Sequence, residues 1–452
     1  MNRLISFFKK QTKRVYMDHA GATPISHVAE GALLESLAHY GNASGIHREG
    51  VEAGLLLDKA RAMCANVLNA HAYEIYFVSS GTESCNLAVL GTYEGYKEQG
   101  VRSKEKEGGT NTLPHIITST IEHPAVLEPI HYLESAGKVR VTYIPVEKEG
   151  VVKVRDIREA LCEETILVSV MYANNEIGTL QPVKEIGRAI EEWKKEQGRS
   201  HTEYPYFHVD ACQAANYCNL DVVRLRAHLM TVNSSKVYGP KGIALLYKRE
   251  GIRIAPMSYG GGQERHLRSG TEAVPLAYSF AVALTEARAS QESEVVRLQR
   301  LNDFCKKELE KNIPQVRFYG AFGPIPVSVP PQTTENKKET LEGEELSQVA
   351  TKKQFIPSRV MNRLPNNINC SIPGITSEEM ILRLDALGFA VSHKSACASR
   401  ESDGSYVILA LGYTEKEALE NIRITFGRDT THKDIIKLVE GMKTIANKYI
   451  TK

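Results

Sequence analysis

The sequence predicts an α/β fold: a large domain on a mainly parallel seven-stranded sheet, followed by a smaller α+β domain. Three observations predict it. Between about residues 73 and 248, seven short segments rich in Val, Ile and Tyr alternate with helix-like stretches. Those segments read as near-continuous apolar runs, as strands covered on both faces do. After residue 275 the rhythm changes to a charged helical segment over 282–312, a polar stretch over 330–353 and a final compact section.

The elements follow in order. The start, MNRLISFFKKQTKR, is basic with a short apolar patch. It lacks the long apolar core and cleavage site of a secretory signal and reads as a tail. The strand candidates are EIYFVSS (74–80), HIITST (115–120), VRVTYIPV (139–146), ILVSVMYA (166–173), YFHVDA (206–211), LMTVNSS (229–235) and GIALLYK (242–248). Helical stretches such as PAVLEPIHYLESA (124–136) and VKEIGRAIEEWKKEQ (183–197) separate most of them. This β-α-β rhythm predicts an open parallel sheet, whose ligands collect beyond the carboxyl ends of the strands. The run PPQTTENKKETLEGEELSQVATKK (330–353) has few large apolar residues and reads as a solvated insertion. Compact patterning resumes at LPNNINCSI (364–372) and runs to a last amphipathic helix. The expected organisation is an N-terminal segment (1–25) packed on the small domain, a large domain (26–275) and a small one (276–452). The insertion occupies about 323–360.

Composition bounds the function. The 452 residues carry 56 Lys+Arg against 54 Asp+Glu, a net charge of +2, with 42% hydrophobic and 24% charged residues. That excludes a mostly disordered chain. It also gives no electrostatic case for a nucleic-acid or membrane partner. No apolar run approaches the ~20 residues of a membrane helix. Eight cysteines without a CxxC pair or metal-ligand spacing predict free thiols, no metal and a reducing, cytoplasmic setting.

Six places carry candidate chemistry. In SSGTES (79–84), Gly81 permits a tight turn, and Thr82 opens a helix whose unpaired N–H groups suit a phosphate. In IEHPAVL, Pro124 fits the first helical position, so His123 lies near the cap at the sheet's carboxyl edge. In HVDACQAA, Asp210 ends a strand and Gln213 follows one turn later; a carboxylate there can pair with a protonated heterocycle nitrogen. In VNSSKVYGPKG, Lys236 sits in a small polar turn after an apolar strand, where a desolvated amine is poised for Schiff-base chemistry. In VSHKSACASRESDG, Cys397 lies among His393, Lys394 and Arg400, in what reads as an exposed loop whose cations favour a thiolate. In NIRITFGR, Arg423 alternates with Ile422 and Ile424 and is a natural bidentate partner for a carboxylate. Each also has an ordinary structural explanation: a cap, a surface lysine, a loop cysteine, an edge ion pair.

The ordered set VYMDHAGATP, GNASGIH, SSGTESCNLAV, EHPAV, ANNEIGTLQPV, HVDACQAA, SSKVYGPKGIALLY, GGGQERHLRSGTEAVP, LPNNINCSI, SACAS and IRITFGR resembles the cysteine desulfurases. These are pyridoxal-phosphate enzymes of the class V aminotransferase-like group, which includes selenocysteine lyases. The resemblance implies that Lys236 binds the cofactor covalently and later moves the α-proton. His123 would stack on its ring and Asp210 would pair with the ring nitrogen. Asn175 and Gln213 would lie near the ring oxygen, and Gly81 and Thr82 at the phosphate. Thr271 would reach the phosphate of the other subunit in a homodimer. Arg423, with Asn42, would hold the carboxylate of L-cysteine. Cys397 would take sulfur as a persulfide and pass it to an acceptor protein, for iron–sulfur assembly or thio-modification. The family often has His before the lysine; here Ser235 stands there, so those phosphate contacts fall to Asn233 and Ser235. DHAGATP is closer to the molybdenum-cofactor sulfurases, whereas GPKG, LRSGT and SACAS resemble the desulfurases. A selenocysteine lyase and a non-catalytic scaffold for a sulfur-transfer partner are the alternatives.

Overall fold

The computed structural model of the chain describes residues 14–104, 112–322, 362–393 and 404–450. Its main sheet holds β2 (Ile75–Val78), β3 (His115–Ser119), β4 (Arg140–Ile144), β5 (Thr165–Met171), β6 (Tyr206–Asp210), β7 (Leu229–Asn233) and β8 (Ala244–Lys248). The order across the sheet is β2-β8-β7-β6-β5-β3-β4. Only β8 runs against its neighbours. All seven expected strands are present, trimmed by a residue or more at most ends, where backbone turns toward caps and loops.

Both faces of the sheet are covered, which is why the strands lack polar alternation. One face, with Phe77, Ile117, Val168, Phe207, Val209 and Met230, packs under α2 (Arg48–Leu68) and α6 (Val183–Glu196). The opposite face, with Tyr76, Val78, Ile116, Leu167 and Leu246, meets α3 (Gly81–Lys104) and α4 (Pro124–Ser135). Shorter helices α1 (His27–Ser36), α5 (Val154–Ala160) and α7 (Val222–Leu225) fill the margins.

A 39-residue helix, α8 (Val274–Asn312), joins this layer to the second. Its first half buries Ala277, Phe280, Ala281 and Leu284 in the large core. Its second half buries Leu298, Leu301, Cys305 and Leu309 in a separate one. The helix begins eight residues before the expected 282, because its first turns are apolar on most sides and carry little amphipathic signal.

The second core is built by an antiparallel sheet, β12 (Asn421–Thr425), β10 (Asn367–Ser371) and β9 (Arg317–Phe318). The helices α9 (Ser377–Ala386) and α12 (His432–Ile450) pack on it; α10 (Tyr406–Ala410) and α11 (Glu415–Glu420) lie nearer the large layer. The N-terminal strand β1 (Val15–Tyr16) pairs in parallel with β11 (Phe389–Ala390), and Asp18 bridges to Thr425. From β1 in the second layer the chain crosses to the first. Among the described residues no helix is long and apolar enough to cross a membrane.

Candidate active site

Five strand ends of the main sheet point the same way, and each delivers one candidate residue. The turn after β2 carries Gly81, that after β3 carries His123, and that after β5 carries Asn175. Asp210 closes β6, and Lys236 ends the 3-10 turn Ser234–Lys236 after β7. This is the carboxyl edge, where ligands of open α/β sheets collect.

Lys236 is held there by the N-terminal segment. Its Nζ donates to the carbonyls of Ala20 (2.7 Å) and Gly21 (2.5 Å). Gln213 Nε2 donates to the same Ala20 carbonyl at 3.0 Å. Burial lowers the amine's pKa below its ordinary value, and the Arg423 charge adds to the effect. A lysine kept closer to neutral is the nucleophile that carbonyl chemistry needs.

His123 is the N-cap of α4, its Nδ1 accepting the Ala125 N–H at 3.1 Å, with Pro124 at the first helical position. Burial lowers the imidazole's pKa, and Lys236 and Arg423 push the same way against Asp210. The ring therefore stays neutral and apolar-faced, suited to stacking. Asp210 is buried at 7% exposure. Its Oδ1 accepts the Cys212 N–H at 3.0 Å, and the Cys85 thiol lies 3.9 Å from Oδ2.

The turn at Gly81 forms a cradle. A Cβ on Gly81 would lie 3.2 Å from Cys212 Sγ and 3.3 Å from Asn233 Nδ2, so a larger residue crowds both. Ser80 Oγ accepts the Glu83 N–H at 3.2 Å, which leaves the Gly81 and Thr82 amides at the helix start. Thr82 is exposed. Glu83 holds the turn from outside: it accepts from Ser79 N (2.5 Å) and Ser79 Oγ (2.6 Å) and pairs with Arg268 at 3.0 Å. Asn233 Oδ1 accepts from both Ser235 N–H and Ser235 Oγ at 3.3 Å. Ser235 is thereby tied to Asn233, beside the cradle.

Arg423 is 1% exposed, in a strand whose five residues are all buried. Its guanidinium donates to Asp18 Oδ1 (2.8 Å), the Asn175 carbonyl (3.0 Å) and Ser392 Oγ (3.3 Å). Its Nε and the Asn175 Oδ1 are buried without partners among the described residues. The orphaned Arg423 Nε donor, the Asn175 Oδ1 acceptor, the buried amine and the glycine cradle together fit an anionic phosphate–pyridine cofactor and a carboxylate substrate.

Two expected residues stand elsewhere. Asn42 is exposed, its Oδ1 accepting the Ser44 N–H at 3.0 Å. Thr271 is exposed in the segment before α8. Cys397 lies outside the described residues. Conversely, Asp18, the Ala20–Gly21 carbonyls and Glu122 carry part of the site without having been singled out. The signal for the first three was their shared place in VYMDHAGATP; Glu122 was hidden behind the adjacent histidine.

A family model described as aminotransferase class-V matches residues 15–329. The chain belongs to the class-V aminotransferase family, whose members depend on pyridoxal phosphate. Within it, the cysteine desulfurase IscS of Dictyoglomus turgidum is 34% identical over 440 residues, covering 97% of this chain and 96% of that protein. Among solved structures, a NifS-like protein matches with a TM-score of 0.75 and 28% identity over 96% of this chain and all of that one. A structure of SspA in complex with cysteine matches with a TM-score of 0.66 and 27% identity, covering 92% and 99%. The chain is an enzyme of the cysteine desulfurase type.

Proposed function

We propose that the chain converts L-cysteine to L-alanine with pyridoxal phosphate and passes the sulfur to an acceptor protein. The observation that carries this reading is the meeting of Lys236, His123 and Asp210 at one sheet edge, beside the Gly81 cradle. When bound, the cofactor supplies a conjugated electron sink that makes the substrate's α-proton removable. Lys236 would hold it covalently, with its amine already biased toward the neutral form. Asp210 would keep the ring nitrogen protonated, and His123 would cover the ring face. Asn175 and Gln213 would lie near the ring oxygen, while Gly81, Thr82, Asn233 and Ser235 would receive the phosphate. Arg423, with Asn42, would bind the substrate carboxylate; its Nε, unpartnered among the described residues, suits that role. Lys236 would then take the α-proton. Cys397 is the expected sulfur acceptor, on the strength of its SACAS motif.

The described cysteines are all free, as a reducing cytoplasm would keep them. Thr271 and Asn42 are both exposed in one chain, which favours a homodimer that brings them to a site from outside. Iron–sulfur assembly or thio-modification is the expected destination of the sulfur.

The test is alanine release. Protein incubated with pyridoxal phosphate and L-cysteine is expected to form alanine and a persulfide on Cys397. Lys236→Ala is expected to lose covalent cofactor, its visible band and turnover. Activity on selenocysteine alone would make it a selenocysteine lyase. Absence of any bound-cofactor band would make it a scaffold.

A further inference from the structure

Helix α10 is five residues long, yet it joins two of the turns that form the site. Its apolar residues Val407 and Ile408 pack in a small cluster with Ile121 and Ile177, which flank His123 and Asn175. Its first polar groups bond the same two turns. Ser405 Oγ donates to Glu176 Oε2 at 2.5 Å, next to Asn175. Tyr406 Oη donates to the Glu122 carbonyl at 2.6 Å, next to His123. The two turns are also tied to each other, Asn174 Nδ2 donating to the Ile121 carbonyl at 3.0 Å, while Asn174 Oδ1 closes its own turn by accepting the Glu176 N–H at 2.9 Å.

The Glu122–His123 peptide is therefore gripped on every side but one. The Glu122 side chain is fixed by Ser119 Oγ and the Met171 N–H. His123 Nδ1 takes the Ala125 N–H. Without Tyr406, the Glu122 carbonyl would lose its one side-chain donor among the described residues. That carbonyl belongs to the peptide unit whose nitrogen is His123's own, so its direction sets φ and hence the ring's position. A shift well under 1 Å in a group that must lie against a reacting ring is enough to lower a rate severalfold.

We propose that Tyr406 is a positioning residue for His123, acting through the Glu122 carbonyl. This rests on the desulfurase reading above. Tyr406 touches no reacting atom; it fixes the peptide from which the His123 ring projects. Burial raises the phenol's pKa, with Glu176 and Glu122 adding to it, so the hydroxyl stays a donor throughout the working pH range.

The test is a double-mutant cycle on the cofactor-loaded enzyme. Tyr406→Phe removes one oxygen and keeps the ring's packing. It is expected to lower the rate of alanine formation about fivefold to tenfold, with KM for cysteine changed by less than about twofold. Its melting temperature is expected to stay close to that of the parent. In a His123→Ala background the same change is expected to have no further effect, because the ring it positions is gone. The visible band of the bound cofactor gives an independent reading: both single variants should shift it in the same direction, and the double variant no further. Equal losses in both backgrounds, or none in the wild-type background, would overturn the proposal. Should the parent bind cofactor but form no alanine, the desulfurase reading fails, and the shared band shift still decides the role of Tyr406.

Discussion

Glu122 stands one residue before His123 and is completely buried. Its Oε1 accepts from Ser119 Oγ at 2.5 Å and from the Met171 N–H at 3.0 Å, while Oε2 has no partner among the described residues. Burial pushes the carboxyl up from 4.5 to about 8, with Asp210 adding to it and the two hydrogen bonds opposing it. The folded protein therefore binds a proton that the unfolded chain gives up between those values. Stability from this group is full below the unfolded value and lost as pH rises through about 8. The expected slope is at most about 1.4 kcal/mol per pH unit. Glu122→Gln keeps the shape without the proton, so melting temperatures at about pH 6 and about pH 9 should converge in the variant and diverge in the parent. Lys236 has the opposite sign: its lowered value means that raising the pH relieves a penalty of burial. The two groups also show what was legible. Asp210 closes a strand, and Lys236 and His123 each follow one in a short turn, so the strand pattern put them near strand ends. Glu122 was not legible, because an acidic residue before a histidine gives no sign of being buried until the neighbouring strands are placed.

Elements hold these residues through a few buried stitches rather than many surface pairs. Arg61 of α2 donates to both carboxylate oxygens of Glu264, at 2.8 and 2.9 Å, and to the Ile75 carbonyl of β2 at 2.6 Å. Glu264 also accepts the Phe77 N–H at 2.9 Å. One ion pair thus joins a helix, the edge strand and the segment before α8. That segment is strained: Glu264, Arg265 and His266 have φ of 44°, 53° and 65°. Left-handed backbone costs roughly 1–2 kcal/mol per non-glycine residue, and the hydrogen bonds of Glu264 to Arg61 and to the Phe77 N–H hold the segment in that conformation. Arg61→Ala leaves a carboxylate that is 2% exposed without its partner. It is expected to cost about 3–5 kcal/mol in denaturant unfolding and to release the segment carrying Thr271. The reciprocal change Glu264→Gln, which keeps a hydrogen-bonding group, should cost less. Strands of the main sheet were legible because each is short and apolar through and through. The pairing of Arg61 with Glu264 spans about 200 residues of sequence, and nothing local marks it. The first turns of α8 were missed for a related reason: a helix end buried on most sides has no polar face to reveal its period.

At the scale of the whole molecule, two segments that hold proposed site residues are largely exposed in the single chain. Segments 40–47 and 257–271 hold Asn42 and Thr271, and both expose large apolar side chains. Tyr40 is 82% exposed, Ile46 98% and Tyr259 82%. Such a surface would suit a second copy, and the proposed homodimer would place each Thr271 at the partner's phosphate cradle. Light scattering is then expected to give about twice the 50.2 kDa of the chain. Thr271→Ala should weaken cofactor binding about tenfold, as loss of one hydrogen bond to a charged group does. The decisive version mixes two defective copies. A dimer of one Lys236→Ala chain and one Thr271→Ala chain carries one site with both lesions and one with neither. If Thr271 acts across the interface, the mixed dimer regains about half of the parent's tight cofactor sites, although neither homodimer has any. If Thr271 acts within its own chain, every site in the mixed dimer keeps a lesion and no tight site returns.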